Sequence, residues 1–186
     1  MKLILQKKVP NQEATKLLAK EIFQNFLSPE ENFSLFLEGG LGAGKTFFIR
    51  EVLMHFGVTK EICSPTYVFL NEYQGRERAF AHFDFYRLSS PAEFFARGFG
   101  DIAEDRTCST FVEWPNNISE EANHAFSGKK YVLRLDHGAG VGMRNIKFLE
   151  AGSRILFGFV GKTIFVGEKE LIFIVMRFGR NIPMVI

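Results

Sequence analysis

Gly39-Gly40-Leu41-Gly42-Ala43-Gly44-Lys45-Thr46 is the stretch that decides the fold. It fits the pattern G-x-x-x-x-G-K-[S/T], in which glycines let the backbone wrap closely around phosphate oxygens. An apolar run, Phe33-Ser34-Leu35-Phe36-Leu37, leads into it and predicts a buried strand. A helical pattern from Phe47 to Phe56 leads out. Consecutive backbone N–H groups at a helix N-terminus form an anion cradle, and the helix dipole adds partial positive charge. Gly39, Leu41, Gly42, Ala43, Gly44 and Phe47 would then line phosphate with backbone. Lys45 would reach the β- and γ-phosphates, and the Thr46 hydroxyl would ligate Mg²⁺. The bland alternative is a Gly-rich turn, and the flanking strand and helix count against it.

The chain has 186 residues, which points to one domain. A chain of that size buries roughly 70% of its unfolded surface. With 22 phenylalanines, the core should be rich in aromatic rings. A formal net charge of +2 is too small to suggest an electrostatic nucleic-acid binder. Cys63 and Cys108 show no metal-ligand spacing and read as reduced structural thiols. His55, His124 and His137 show no metal spacing either. The N-terminal apolar run is too short for a signal-peptide core, and no stretch approaches a membrane span. The expectation is a cytoplasmic protein with no membrane contact.

Lys2 to Lys8 predicts a short edge strand. Asn11 then caps a helix that Ser28-Pro29 ends, with Ala14, Leu17, Leu18, Ile22 and Phe26 facing inward. After the phosphate loop, Ile49, Val52, Leu53 and Phe56 turn inward and Gly57 stops the second helix. Tyr67 to Tyr73 and Ala79 to Tyr86 predict a hairpin around Gln74-Gly75-Arg76-Glu77. Ser90-Pro91-Ala92-Glu93 reads as a helix start with Ser90 as cap and Glu93 as capping-box acid. Strands follow at Thr110 to Trp114, Lys130 to Asp136 and Arg144 to Leu149. Residues 1–152 thus form one domain. Residues 153–186 form a C-terminal extension with two apolar runs around Gly167-Glu168-Lys169-Glu170, expected to pack on that domain as a β-hairpin.

Hydrolysis of a bound nucleotide also needs a metal anchor and a group that orients water. Asp84 ends a mostly apolar strand, and Glu113 ends another. Ligands collect at the C-terminal edge of a parallel sheet, so either acid suits metal or water there; a solvated strand end is the alternative for each. Thr66 offers a hydroxyl for γ-phosphate or Mg²⁺, although Ser64-Pro65-Thr66 fits an ordinary proline turn equally well. His82 shares a strand face with Asp84 and reads first as a packed or solvated side chain. No N-K-x-D motif follows, which argues against a Ras-like GTPase. No Asp–Glu pair sits at a strand end, unlike an ABC or RecA-type motor.

Taken in order, Pro10 with Ala14-Thr15, the phosphate loop, Ser64-Pro65-Thr66-Tyr67, His82-Phe83-Asp84-Phe85-Tyr86-Arg87-Leu88 with Pro91 and Glu93, and Glu113-Trp114-Pro115 closely resemble the TsaE family. The likeness runs from Met1 to about Gly152. It implies an α/β P-loop NTPase three-layer fold, with a mostly parallel central sheet extended by antiparallel strands. It also implies a bacterial ATPase of tRNA threonylcarbamoyladenosine synthesis, using ATP and Mg²⁺. Such proteins work with TsaD and TsaB, which transfer a threonylcarbamoyl group to the adenosine next to the anticodon. Contact with tRNA would come through that complex.

Carried onto this chain, the resemblance gives Lys45 and Thr46 the phosphate and Mg²⁺. It puts Asp84 and Glu113 near metal and attacking water, and makes Thr66 a switch-like residue. The segment Asn11 to Thr15 falls where the family approaches the nucleobase, and Arg144 matches an arginine near the nucleotide. Gly40 departs from the family's acidic or amide residue, and Phe47 replaces a common second threonine. The tail from Ser153 has no counterpart in the family pattern. A P-loop small-molecule kinase is the alternative enzyme, although the chain lacks a recognisable arginine-rich lid. A nucleotide-dependent binding module without turnover is the alternative outside enzymes.

Overall fold

The run Phe33–Glu38 is buried along its whole length except at the last residue, as a strand in the middle of a parallel sheet must be. The computed structural model describes residues 1–152. The hairpin expected at 153–186 lies outside the described residues. In chain order the strands are β1 (Lys2–Val9), β2 (Phe33–Glu38), β3 (Leu70–Gln74), β4 (Ala79–Asp84), β5 (Cys108–Glu113), β6 (Lys129–His137) and β7 (Arg144–Glu150). The helices are α1 (Gln12–Phe26), α2 (Lys45–His55), α3 (Pro91–Ala96), α4 (Phe99–Glu104) and α5 (Glu120–Ala125).

Among the described residues, one sheet holds the seven strands, in the order β1-β7-β6-β2-β5-β4-β3. The pairs β2 with β5, β2 with β6 and β4 with β5 are parallel. β7 runs antiparallel between β6 and β1, and β3 runs antiparallel on β4. Five strands therefore point one way, and the antiparallel ones extend this set, as the family resemblance implies. Helices cover both faces. Leu18, Ala19 and Ile22 of α1 and Phe48, Ile49, Val52 and Leu53 of α2 join a core with Phe33, Leu35 and Leu37.

The phenylalanines divide between the two faces because strand side chains alternate. Beneath α1 and α2, Phe33 meets Phe56, Phe80 and Phe111, with ring centroids 5.5 to 6.4 Å apart. On the opposite face Phe83 packs against Phe85, Phe99 and Phe126. Phe94 of α3 closes that second cluster. Aromatic edges and faces at these spacings attract beyond simple burial.

Three local expectations need correction. Leu17 is exposed, while Thr15, Leu18, Ala19 and Ile22 form the buried stripe of α1. Their spacing is i, i+3, i+4, i+7, and Leu17 falls outside it. At α3, Ser90 occupies the cap position but its side chain makes no cap bond. Glu93 instead accepts from the Ser89 backbone N–H at 2.8 Å and from the Ser89 hydroxyl, one residue earlier than a capping box requires. Finally, Trp114 lies beyond β5, in the left-handed region with φ 58°. Asn11 does cap α1, its side chain accepting from Ala14 N–H at 2.9 Å.

Both cysteines are free thiols, Cys63 exposed and Cys108 buried. Burial pushes the Cys108 thiol up to about 11, and the nearby charge of Asp105 adds to this. Thiolate is the reacting form, so at about pH 8 iodoacetamide should modify Cys63 alone in the native chain, and both after unfolding. Mass spectrometry of the alkylated protein reads the outcome.

Candidate functional site

The parallel strands β1, β6, β2, β5 and β4 all end at one edge of the sheet. The phosphate loop leaves β2 at that edge and turns into α2. Gly42 and Gly44 stand at φ 71° and 103°, where a side chain is strained. Gly39, at φ 152°, is fixed by space as well: a Cβ there would lie 2.4 Å from the Leu135 carbonyl oxygen. By contrast, no atom of the described residues lies within 4 Å of a Cβ placed on Gly40, Gly42 or Gly44. The hollow of the loop is thus open beside the head of α2. The first N–H groups of α2, at Lys45, Thr46 and Phe47, have no helical acceptor, and its first turn carries no acid. Ala43 is buried beneath the loop, Leu41 is exposed on its rim, and the Phe47 ring stacks with the Arg50 guanidinium 4.9 Å away.

Lys45 is buried, and its ammonium donates to the carbonyls of Gly39 at 2.8 Å and Gly40 at 3.0 Å. The face of Trp114 covers it, 4.0 Å from the ring centroid. Burial lowers the Lys45 pKa from its ordinary value, while the charges of Glu113 and Asp84 oppose that shift. The lysine is therefore held by weak acceptors that a phosphate oxygen would outcompete.

The acids complete the edge. Asp84 and Glu113 are opposite each other in the register of β4 and β5. The Thr46 hydroxyl donates to Glu113 Oε1 at 2.7 Å, and His82 Nε2 lies 3.0 Å from the same oxygen. Asp84 Oδ2 accepts from Ser64 Oγ at 2.7 Å and from the Thr66 hydroxyl, and its Oδ1 accepts from Tyr86 N–H at 3.0 Å. The Ser64-Pro65-Thr66 turn is thus tied to the acid that ends β4.

Arg144 braces the loop from the other side. Its Nε donates to the Ala43 carbonyl at 2.9 Å, and a terminal nitrogen donates to the Gly42 carbonyl at 3.0 Å. Val9 sits opposite Arg144 in the pairing of β1 with β7, so the start of α1 reaches the same edge. Asn11 and Thr15 bond there within the helix start: Asn11 caps Ala14, and the Thr15 hydroxyl donates to the Asn11 carbonyl at 3.1 Å.

Among the described residues, no three His, Cys, Asp or Glu side chains are grouped to hold a metal by themselves. Thr46, Glu113 and Asp84 offer hard oxygen donors instead. That set suits Mg²⁺, which is usually held by one or two carboxylates together with phosphate oxygens.

A family model described as "Threonylcarbamoyl adenosine biosynthesis protein TsaE" matches residues 9–142. The chain belongs to the TsaE family. A "tRNA threonylcarbamoyladenosine biosynthesis protein TsaE" from Rickettsia felis is 42% identical over 109 residues, 58% of this chain and 61% of that protein. The protein of the same description from Treponema pallidum is 36% identical over 92 residues, half of this chain and 67% of its own length. Against the Rickettsia felis and Rickettsia conorii relatives, the match spans only about three-fifths of their length. The fold is similar to the crystal structure of Bacillus subtilis YdiB, with TM-score 0.58 and 23% identity over 82% of this chain and 89% of that one. Among the described residues, no helix is long and apolar enough to cross a membrane.

From the sequence His82 reads as a packed or solvated side chain and Ser64 carries no role of its own. The shared face of His82 and Asp84 was visible, but the acid that His82 meets lies on another strand. Ser64 stands in the quoted tripeptide, where a second hydroxyl two residues from Thr66 was the available signal.

Gly39 and Gly40 should differ in their response to substitution. Gly39→Ala forces a Cβ into the Leu135 carbonyl, whereas Gly40→Ala meets open space. A loss of about 2–4 kcal/mol in unfolding free energy is expected for Gly39→Ala, and under about 1 kcal/mol for Gly40→Ala. Urea denaturation of both variants measures the difference.

Proposed function

We propose that this chain is a Mg²⁺-dependent ATPase that supports threonylcarbamoyl transfer to the adenosine next to the anticodon of tRNA, acting with TsaD and TsaB. The observation that carries it is the Thr46 hydroxyl at the head of α2, bonded at 2.7 Å to Glu113. Phosphate loop, hydroxyl and carboxylate are then one unit. Membership of the TsaE family supports the role in tRNA modification.

The backbone of Gly39 to Phe47 receives the phosphates, and Lys45 moves from the Gly39 and Gly40 carbonyls to the β- and γ-phosphate oxygens. Thr46, Glu113 and Asp84 are the residues that would hold Mg²⁺, which when bound would supply charge neutralisation at the phosphates. Glu113 orients the attacking water and takes its proton. The water oxygen bonds to the γ-phosphorus as the bond to the β–γ bridging oxygen breaks, leaving ADP and phosphate. Asp84 couples this centre to the turn of Ser64 and Thr66. Arg144 keeps the loop in shape, and the start of α1 at Asn11 and Thr15 lies toward the nucleobase. Catalytic power in such a protein depends on a site completed by the partners, so hydrolysis is slow alone. The protein works in the cytoplasm, where that complex meets tRNA.

Lys45→Ala should abolish ATP binding, measured by calorimetry. Glu113→Ala should leave binding intact and slow hydrolysis by about 10²–10⁴-fold, the usual worth of a positioned acid or base. Omitting the chain from a matched TsaD–TsaB mixture should end multiple-turnover modification of tRNA. If a matched pair neither binds the chain nor loses turnover without it, the assignment fails. Labelled γ-phosphate appearing on a metabolite instead of in water would make the protein a kinase.

A further inference from the structure

We infer that His82 is a positioning residue that holds Glu113 in place for hydrolysis. It matters in this way only because Glu113 serves hydrolysis, as proposed above. His82 is fully buried in β4, between Phe80 and Asp84 on the face that meets α2. Its backbone partner in β5 is Phe111, so the ring reaches one step along the strand to Glu113, itself buried. The distance from Nε2 to Oε1 is 3.0 Å.

The chemistry sets the direction of this bond. An ionised carboxylate only accepts, so Nε2 carries the proton and donates it. In the neutral ring Nδ1 is then a bare acceptor, and among the described residues it has no hydrogen-bond partner. A side chain kept only to fill the core would not carry an unpaired buried nitrogen, because an apolar residue fills space without that cost. The cost is offset only at Nε2.

Glu113 Oε1 therefore has two donors, from two different parts of the fold. Thr46 belongs to the helix that receives phosphate, so its hydroxyl changes partners when nucleotide binds. His82 belongs to the sheet and does not. It is the anchor that persists through the cycle, fixing one carboxylate oxygen so that the other faces the reaction in a constant orientation. Groups that orient an active carboxylate or imidazole in this manner commonly contribute 10–100-fold to activity.

The test is single-turnover ATP hydrolysis by the full chain with Mg²⁺, alongside ATP affinity by calorimetry. His82→Leu is expected to slow hydrolysis about tenfold while affinity stays within about twofold. His82→Gln keeps an N–H near the place of Nε2 and should recover most of the rate. His82→Asn places its amide near Nδ1, out of reach of Glu113, and should not. In a Glu113→Ala background, His82→Leu should cause no further loss.

Equal rates for the Gln and Asn variants would overturn the inference, as would a wild-type rate for His82→Leu or an additive loss in the double variant. If His82→Leu does not fold, the contrast between Gln and Asn decides. Glu113→Ala hydrolysing at the wild-type rate removes the proposed mechanism and this inference together. A slowed Glu113→Ala to which His82→Leu adds its full loss removes the inference alone.

Discussion

The parallel register of β2 with β5 sets Leu37 opposite Glu113, and the rest of the site depends on it. β2 delivers the phosphate loop, and β5 delivers the acid that meets the first turn of α2. A slip of one residue would send the Glu113 side chain to the other face of the sheet, away from Thr46. The same register places Asp84 beside Glu113 through β4. The register is held by packing on both faces. Phe111 beneath α2 and Val112 on the opposite face are both fully buried, so neither can exchange sides without exposing a large apolar group.

Around this pairing, charge is handled economically. Lys45, Glu113 and Asp84 are buried together, and each is hydrogen-bonded. Burial of unpaired charges would cost several kcal/mol apiece, about as much as the net stability of a small domain. The loop carbonyls and the face of Trp114 hold the lysine in their stead. Trp114 itself adopts a conformation with φ 58°, which a bulky residue rarely takes and which commonly marks functional segments.

Much of this was legible in the sequence. The strand before the phosphate loop, the helix after it and the two strand-ending acids follow from periodicity and local chemistry. What was not legible depends on neighbours far along the chain. His82 looks like a packed side chain until β5 is laid beside β4. Leu17 looks like a core residue until the small side chains of Thr15 and Ala19 are seen to define the buried stripe. The helices Phe99–Glu104 and Glu120–Ala125 are too short to show a helical period, and the packing of Phe99 and Phe126 on Phe83 is what places them. Ser89 takes the bond expected of Ser90 because its backbone and hydroxyl reach the same carboxylate oxygen of Glu93.

The placement of β1 at the edge of the sheet has a consequence for biosynthesis. Its strand partner among the described residues is β7, about 140 positions later in the chain. At ordinary translation speeds, β1 emerges on the order of ten seconds before β7 exists to receive it. Its lysines, Lys2, Lys7 and Lys8, keep that waiting edge charged and discourage pairing with other chains. Arg144, which braces the phosphate loop, arrives with β7. A nascent chain therefore carries its complete phosphate loop sequence long before it can hold the loop in working shape.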